Sequence, residues 1–554
     1  MIFDDIKTKG DLEAFKKKIL RENGEVYARI DAIRTRINYS QNNIIPQNKF
    51  APYVGKKKMP TNAEMLALYN EVVASGEQKP VPRIVDILKK IKTRSNSGVA
   101  VVSVLTKQFD CPGRCMYCPT EEGMPKSYLS MEPAAARALA NDFDPYKQVT
   151  NRLRALVMNG HPTDKIEMIV IGGTWSFYHP VYQEEFIAEC FRACNNFESE
   201  EEIKKRALSL EELQKKNERA RCRIVGLSIE TRPDYITSYE LSRLRKLGVT
   251  KVEIGVQHTD DNVLAFNKRD ITSAQVIEAT EKLRNAGFKV VYHMMPNLPG
   301  SDKKKDIAMF CELFSGKNFQ PDMLKIYPCV VLEKSELYDI WKKGEFRVYD
   351  DSELMEILRE VKMHIPPYVR IIRVIRDIPA TYIKAGSKIS NMRQWLFDDM
   401  KKGGWRCRCI RCREIRGDTF DEKSFELTHT KYDTETGQEI FLSFENNAVH
   451  KLAAFLRLRL PQNVAPDFYK DELAVLKDAA LVRELHTYGQ MKHFDEKGTQ
   501  SQHLGLGRRL MEEAENIARG AGYAKVAVIS GVGVRGYYRK LGYELEGTYM
   551  VKYL

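Results

Sequence analysis

Val99-Ala100-Val101-Val102-Ser103-Val104-Leu105 is followed, six residues on, by Cys111-Pro112-Gly113-Arg114-Cys115-Met116-Tyr117-Cys118. The first run is rich in β-branched residues and reads as a strand. The second places three thiols on one short loop with the spacing CxxxCxxC. Three thiolates arranged in this way can hold three irons of a 4Fe–4S cluster and leave the fourth iron open. A zinc site is the rival reading, but zinc ordinarily takes four ligands and no fourth lies nearby in sequence. A loop at the C-terminal end of a strand is also where β/α folds build their sites.

Outward from this stretch, short apolar runs at 166–171, 222–229, 251–256, 288–294 and 323–327 alternate with helical patterns. Six strands in that rhythm predict a parallel sheet within an α/β fold, either open and doubly wound or a partial (β/α)6 barrel. The partial barrel is the expectation for 96–380. The charged segment 198–221 reads as a solvated helix or a mobile insertion. The loop and its setting resemble the radical S-adenosylmethionine (radical-SAM) superfamily. That resemblance implies an open iron that takes the amino and carboxylate groups of S-adenosylmethionine, one-electron cleavage to a 5′-deoxyadenosyl radical, and a cofactor contact for Tyr117. Gly172-Gly173-Thr174 follows the second strand, where bare backbone can approach the methionyl group. Glu230-Thr231-Arg232-Pro233-Asp234 ends the third strand and offers polar groups to ribose and carboxylate, or an ordinary turn with Asp234 capping a helix. Gln257, His293 and Lys325 end the next three strands and face a shared pocket.

A second signature lies near the C-terminus. Gln502-His503-Leu504-Gly505-Leu506-Gly507 has the pattern QxxGxG and opens a helix. Its amides and helix N-terminus suit a pyrophosphate such as that of coenzyme A, although a glycine turn capping a surface helix has the same appearance. Strands are expected at 441–444, 451–459, 481–488 and 525–530, with a helix at 506–519. Residues 482–488 would pair backbone with a pantetheine arm. Tyr537-Tyr538-Arg539-Lys540-Leu541-Gly542-Tyr543 resembles the closing helix and turn of Gcn5-type acetyltransferases, with one tyrosine near the thioester sulfur. This domain is assigned to 426–554.

The 554 residues suit two or three domains. A hydrophobic content of 43% supplies real cores, and no apolar run approaches a membrane span. Met1-Ile2-Phe3-Asp4-Asp5 does not resemble a signal peptide, so a cytoplasmic location is expected. Six of eleven cysteines fall into two clusters, which favours metal sites over a disulfide framework. The second cluster, Cys407-Arg408-Cys409-Ile410-Arg411-Cys412, suits a structural zinc within a linker at 381–425, with His429 and His450 both candidates for the fourth ligand. The net charge is +13, and residues 1–100 hold 19 Lys/Arg against 11 Asp/Glu. Such an excess fits a polyanionic partner for the helical region 1–95 and its basic loop around 45–60.

Several phrases together resemble the family of the catalytic subunit of the Elongator complex, in its archaeal or bacterial form. They include Thr93-Arg94-Ser95-Asn96-Ser97-Gly98, Glu230-Thr231-Arg232-Pro233-Asp234-Tyr235, His293-Met294-Met295-Pro296, Arg376-Asp377-Ile378-Pro379, Arg483-Glu484-Leu485-His486 and Ile529-Ser530-Gly531-Val532-Gly533. The resemblance runs from about residue 80 to 554. Thr120-Glu121-Glu122-Gly123 departs from it, standing where many relatives have a glycine pair. The resemblance implies a transfer RNA enzyme acting on carbon five of the wobble uridine. The deoxyadenosyl radical would take a hydrogen from the methyl group of acetyl-CoA, and loss of coenzyme A would leave a carboxymethyl group. It further implies that Cys111, Cys115 and Cys118 hold the cluster, while Gly172, Gly173, Thr174 and Glu230 meet S-adenosylmethionine. Lys165, Glu484, Leu485, His486, Thr487, Gln502, Gly505, Leu506, Gly507 and Tyr537 would bind acetyl-CoA, and Lys325, His486, Tyr537 and Tyr538 are the catalytic candidates. The basic N-terminus, Arg370, Arg373, Arg376 and the linker 401–416 would hold the anticodon stem-loop through phosphates. Accessory subunits and self-association stay open, as does a protein lysine acetyltransferase with a structural iron–sulfur domain.

Overall fold

The structure, a computed structural model, describes residues 2–22, 24–42, 59–88, 98–415, 421–488 and 505–554. Lys56, Lys57 and Lys58 of the expected basic loop and Gln502 of the QxxGxG motif lie outside the described residues.

Seven strands pair in parallel in one sheet, in the order β1 (Ala100–Leu105), β2 (Lys165–Ile171), β3 (Arg223–Thr231), β4 (Lys251–Gln257), β5 (Lys289–Met294), β6 (Met323–Ile326) and β8 (Arg370–Arg373). Between the last two, β7 (Val331–Leu332) pairs antiparallel with β9 (Ile383–Ala385). The six strands expected from sequence are all present, and β8 is a seventh. Its Arg-Ile-Ile-Arg sequence carries too few apolar residues to stand out as a strand. Strand β2 shows how the layers are specified: Ile166, Met168 and Val170 are buried on one side, while Lys165, Glu167, Ile169 and Ile171 line a cavity on the other. Period-2 alternation sends apolar residues to the covering helices and polar ones to the bore.

Residues 198–221 are mostly exposed and carry a solvated helix, as the sequence reading expected, with Leu213, Gln214 and Asn217 turned inward to anchor it. Ser209 and Glu212 form a capping box on the helix Leu210–Asn217. Buried Asn217 donates to Asn195 Oδ1 at 2.8 Å and to the Cys222 carbonyl at 3.0 Å, and accepts from Ile224 N at 2.8 Å. Asp234 is not the helix cap: Thr237 caps Ser238–Lys246, and Asp234 instead takes the Arg232 guanidinium at 2.9 Å.

A second seven-stranded sheet has the order β10 (Glu426–Thr434), β11 (Gly437–Asn446), β12 (Lys451–Pro461), β13 (Ala479–Thr487), β14 (Lys525–Val528), β16 (Tyr549–Tyr553), β15 (Glu544–Glu546). Only β13 and β14 pair in parallel. Strand β10 is largely exposed and polar, so no apolar run announced it. N-terminal helices Lys9–Glu22, Glu25–Asn42, Asn62–Ala74 and Pro82–Leu88 share a small core around Phe3, Ile30, Met65, Leu68 and Val72. No helix among the described residues is long and apolar enough to cross a membrane.

Where the loop after β14 meets β3, the junction of the two sheets is a seam with almost no side chain in it. A Cβ on Gly531 would fall 2.1 Å from the Val225 carbonyl oxygen, and one on Gly533 2.6 Å from Arg223 Cβ. Backbone therefore seats directly on backbone of β3, which only glycine permits. Flanking the seam, Arg535 and Arg539 reach Glu218 at 3.2 and 2.6 Å, and the Tyr549 hydroxyl donates to the Ala286 carbonyl at 2.8 Å.

Candidate active site

The cysteine loop hangs from the C-terminal end of β1 and is pinned by backbone: Met116 N donates to the Asn267 carbonyl at 3.2 Å and Leu337 N to the Met116 carbonyl at 2.9 Å. Among the described residues, the thiol trio whose sulfurs all lie within 4.8 Å of one another is Cys407, Cys409 and Cys412; the sulfurs of Cys111, Cys115 and Cys118 stand wider apart. Zinc–sulfur bonds of about 2.3 Å bring tetrahedral thiolates within about 4 Å of each other, so the wide trio fits a cluster better than one zinc ion. Cationic groups converge on it. Arg269 Nη1 lies 3.7 Å from Cys115 Sγ. Arg232 Nη1, buried and without a hydrogen-bond partner, sits 2.6 Å from where a Cβ on Gly113 would be. Burial, with the neighbouring Cys115, pushes the Cys118 thiol up to about 11, a cost that bound iron would offset.

The turn Gly172-Gly173-Thr174 wraps against this loop. Both glycines have positive φ (141° and 92°), and a Cβ on Gly172 would strike Thr106 Oγ1 at 1.8 Å. Thr174 Oγ1 lies 3.8 Å from Cys111 Sγ. The loop after Cys118 is held by Glu121, which accepts from Ser130 N and Oγ at 3.0 and 2.8 Å and pairs with Lys334 at 3.2 Å.

Deeper in the bore a polar knot joins four strands. Lys325 is ion-paired to Glu253 and lies 3.6 Å from Glu230; His293 Nε2 is 2.8 Å from Glu253, and Tyr128 donates to Glu230 at 2.7 Å. Burial works against the Lys325 charge, but Glu253, then Tyr327 and Glu230, hold its pKa above the ordinary value. Burial likewise opposes the Glu253 charge, and Lys325 and His293 hold that carboxyl well below its usual range. Glu253 and Arg269 carry no motif in the sequence, whereas Arg232 lies in the segment expected to offer polar groups to the cofactor. Glu253 was legible in part, since Lys251, Glu253 and Gln257 alternate along an otherwise apolar strand; Arg269 carries no local signal.

At the other end, the β13–β14 ladder stops at Val482↔Val528 while β13 runs on through Glu484, Leu485, His486 and Thr487, still paired with β12. The strands part there, beside the helix Leu506–Gly520 that Gly505 opens with φ 75°. Glu484 is paired with Arg457 at 2.9 Å, and His486 stacks on Phe455 at 5.8 Å. The structure separates the tyrosine pair. Tyr537 is 39% exposed, with its hydroxyl 2.7 Å from where a Cβ on Gly507 would be, whereas Tyr538 is 6% exposed and packs on Tyr543 in the second core. The catalytic expectation therefore narrows to Tyr537. Lys165 pairs in register with Arg223 at the opening of β2 and β3 and faces the same space. Burial pulls the Lys165 pKa below its ordinary value.

Both ends open into one cavity of about 1630 Å³, lined by Cys111, Cys118, Lys325, Lys165, His486 and Tyr537 among others. Of the arginine series expected to hold RNA, Arg370 is tied to Glu414 and the Tyr488 hydroxyl and Arg376 to Glu132 and Ser127, while both still line the cavity; Arg373 is half-exposed beside Asp377. Of the histidines near the second cysteine cluster, His450 is 3.1 Å from the Cys407 carbonyl, whereas His429 pairs with Glu513 at 3.4 Å. The buried Lys362 ammonium lies 3.4 Å from Cys412 Sγ.

Residues 105–313 match the Radical SAM superfamily and residues 321–402 the Radical_SAM C-terminal domain, which makes this a radical-SAM protein. The chain is 45% identical over 511 residues to tRNA uridine(34) acetyltransferase of Methanocaldococcus jannaschii, covering 89% of this chain and 90% of that one. It is 38% identical over 505 residues to Elongator complex protein 3 of Bos taurus, covering 85% and 90%. Among solved structures, the archaeal Methanocaldococcus infernus Elp3 with N-terminus deletion (1–46) superposes with a TM-score of 0.70 at 42% identity, over 83% of this chain and all of that one. The chain belongs to the family of tRNA uridine(34) acetyltransferases and Elongator complex protein 3.

Proposed function

We propose that the chain modifies the wobble uridine, position 34, of transfer RNA by radical-SAM chemistry, the activity to which its relatives' names refer. Cys111, Cys115 and Cys118 hold the 4Fe–4S cluster, and residues 172–174 with Glu230 hold S-adenosylmethionine. When bound, these groups supply a carbon-centred radical. Arg232 and Arg269 bring positive charge to the thiolate loop, and the Lys325–Glu253–His293 knot keeps the bore rigid where the reacting groups meet. The single observation that carries this reading is the shared cavity: the thiolate loop and the parted strand β13 open into the same space, so substrates of both sheets can meet there.

At finer grain, acetyl-CoA lies along Glu484, Leu485, His486 and Thr487, with its phosphates toward Gly505, Leu506 and Gly507, Lys165 nearby and Tyr537 beside the thioester. The product is a carboxymethyl group on carbon five. Zinc occupies Cys407, Cys409 and Cys412, whose close sulfurs, on two buried residues and one half-buried, suit it. The chain divides into an RNA-binding region (1–95), the radical-SAM domain (96–380), the linker (381–425) and the acetyltransferase domain (426–554), and it works in the cytoplasm on the anticodon stem-loop. Protein lysine acetylation is the weaker reading, because it leaves the radical-SAM bore without a task.

The test is anaerobic reconstitution with iron and sulfide. 5′-Deoxyadenosine forms only when transfer RNA and acetyl-CoA are both present, and Cys115→Ala abolishes both that product and the wobble modification. A Cys115→Ala chain that still modified RNA at the normal rate would rule the radical route out.

A further inference from the structure

The rim of the bore carries a row of aromatic rings that the cluster, its cofactor and the thioester leave unused. Phe109 lies two residues before Cys111, Phe177 in the turn after Thr174, and Tyr235 in the turn after β3. Three successive strand–helix loops thus each contribute one ring. The rings touch edge to face, Phe109 to Phe177 at 5.8 Å and Phe177 to Tyr235 at 6.1 Å.

The row is braced from beneath. Tyr178 stacks on Phe109 at 4.8 Å, and its hydroxyl is tied to Thr106 at 2.8 Å and to the carbonyls of Lys107 and Gly172 at 2.9 and 3.2 Å. The front is open: Phe109 is 37% exposed and Phe177 36%. Isolated exposed aromatics need no explanation, but a rigid row from three loops does. Phe109 lies two residues before Cys111 and Phe177 three after Thr174, whose Oγ1 is 3.8 Å from Cys111 Sγ, so the row borders the thiolate loop. Cations stand beside it. Lys107 is exposed with its Nζ 4.9 Å from the Tyr182 ring, and the Arg114 side chain on the thiolate loop is 82% exposed, with Asp270 4.0 Å away.

Flat apolar faces beside solvated cations are the chemistry that binds unpaired nucleobases: the rings take base faces and the cations take phosphates. We propose that Phe109, Phe177 and Tyr235 form a stacking platform for the unpaired bases that flank the target uridine in the anticodon loop. The platform sits where those neighbours lie when the target base enters the bore. Stacking them compensates for the stacking lost when that base leaves the loop. The proposal rests on transfer RNA being the substrate.

The experiment uses the full-length chain and an anticodon stem-loop RNA carrying 2-aminopurine on one side or the other of position 34. Binding quenches the fluorescence at one or both sites. Phe177→Leu and Phe109→Leu remove the quench and weaken binding roughly five- to a hundred-fold for each stacked base, while Phe177→Trp keeps both. Iron content after reconstitution reports that the thiolate loop survives each substitution. Binding by the unsubstituted chain with no quench at either site, or leucine variants with unchanged affinity and quench, would overturn the platform. Failure of the unsubstituted chain to bind the RNA at all would overturn the substrate reading, and the platform with it.

Discussion

Arg483 of β13 and Asp322, just before β6, face each other across the junction of the two sheets, Nη2 to Oδ1 at 2.5 Å and Nη1 to Oδ2 at 2.8 Å, with neither side chain exposed. Every remaining valence is met. Asp322 accepts from Val290 N at 2.8 Å, and Arg483 also pairs with Glu439 at 2.9 Å and donates to the Phe288 carbonyl at 2.7 Å. A buried pair so completely bonded does more to dictate one docking geometry than to add stability, but removing one partner strands the other.

Asp322→Asn is therefore expected to cost about 3–5 kcal/mol, read as a large drop in Tm near neutral pH. Burial pushes the Asp322 carboxyl up, but Arg483 and Arg457 more than reverse this and hold it below its ordinary 3.8. Its contribution is complete above pH 3.8 and shrinks as pH falls through the lower folded value. The stability gap between the two proteins should narrow below pH 3.8; a constant gap down to the acid limit would contradict this origin.

Gly531→Ala tests the seam. The added methyl meets a backbone carbonyl that cannot rotate away, so a loss of about 1–3 kcal/mol is expected. Gly536→Ala, in the helix Arg535–Arg539 with nothing within 4 Å of the new Cβ, should be neutral or mildly stabilising. Equal melting temperatures for the two variants would refute the backbone seam.

Lys325 can be tried as counter-ion against catalyst. Lys325→Met leaves Glu253 buried with its strongest partner gone and should destabilise by about 3–5 kcal/mol. A Lys325→Met, Glu253→Leu double variant should regain most of that loss. If the double variant also regained 5′-deoxyadenosine formation, Lys325 would have no chemical role.

One zinc per chain is expected at the second cysteine cluster. Elemental analysis should find it lost in Cys409→Ser and kept in Cys115→Ala, whereas iron follows the reverse pattern. Iron lost from both variants alike would merge the two sites and defeat the assignment.

RNA affinity should fall steeply with salt, because phosphate contacts release counterions. Lys401→Gln and Lys402→Gln, at exposed positions, should each lower the slope of log K against log salt by about one. Arg376→Gln, removing a cation paired with Glu132, should lower Tm and leave the slope alone; a change in slope would make Arg376 a phosphate contact.

What the sequence revealed depended on how local each signal was. CxxxCxxC was readable because ligand spacing on one loop is a local property, and six strands were readable as β-branched runs between turns. Strand β8 was not, since charged ends hid its two isoleucines. Arg269 reaches Cys115 across 154 residues, and only the barrel brings them together. The partners of Arg370 and Arg376 were hidden for the same reason, since nothing local shows that Glu414 and Glu132 stand opposite.

Gly531 and Gly533 bring the second sheet's loop against the backbone of β3. The span from the thiolate loop to the mouths of β2 and β3 is set by strand length, roughly 20 Å for seven residues. A molecule that acts at both ends has to be that long itself or has to swing a tether through the interval. The enzyme thus gauges its substrates by reach, and shortening a flexible arm by a few bonds should silence the chemistry without loosening any grip at either end.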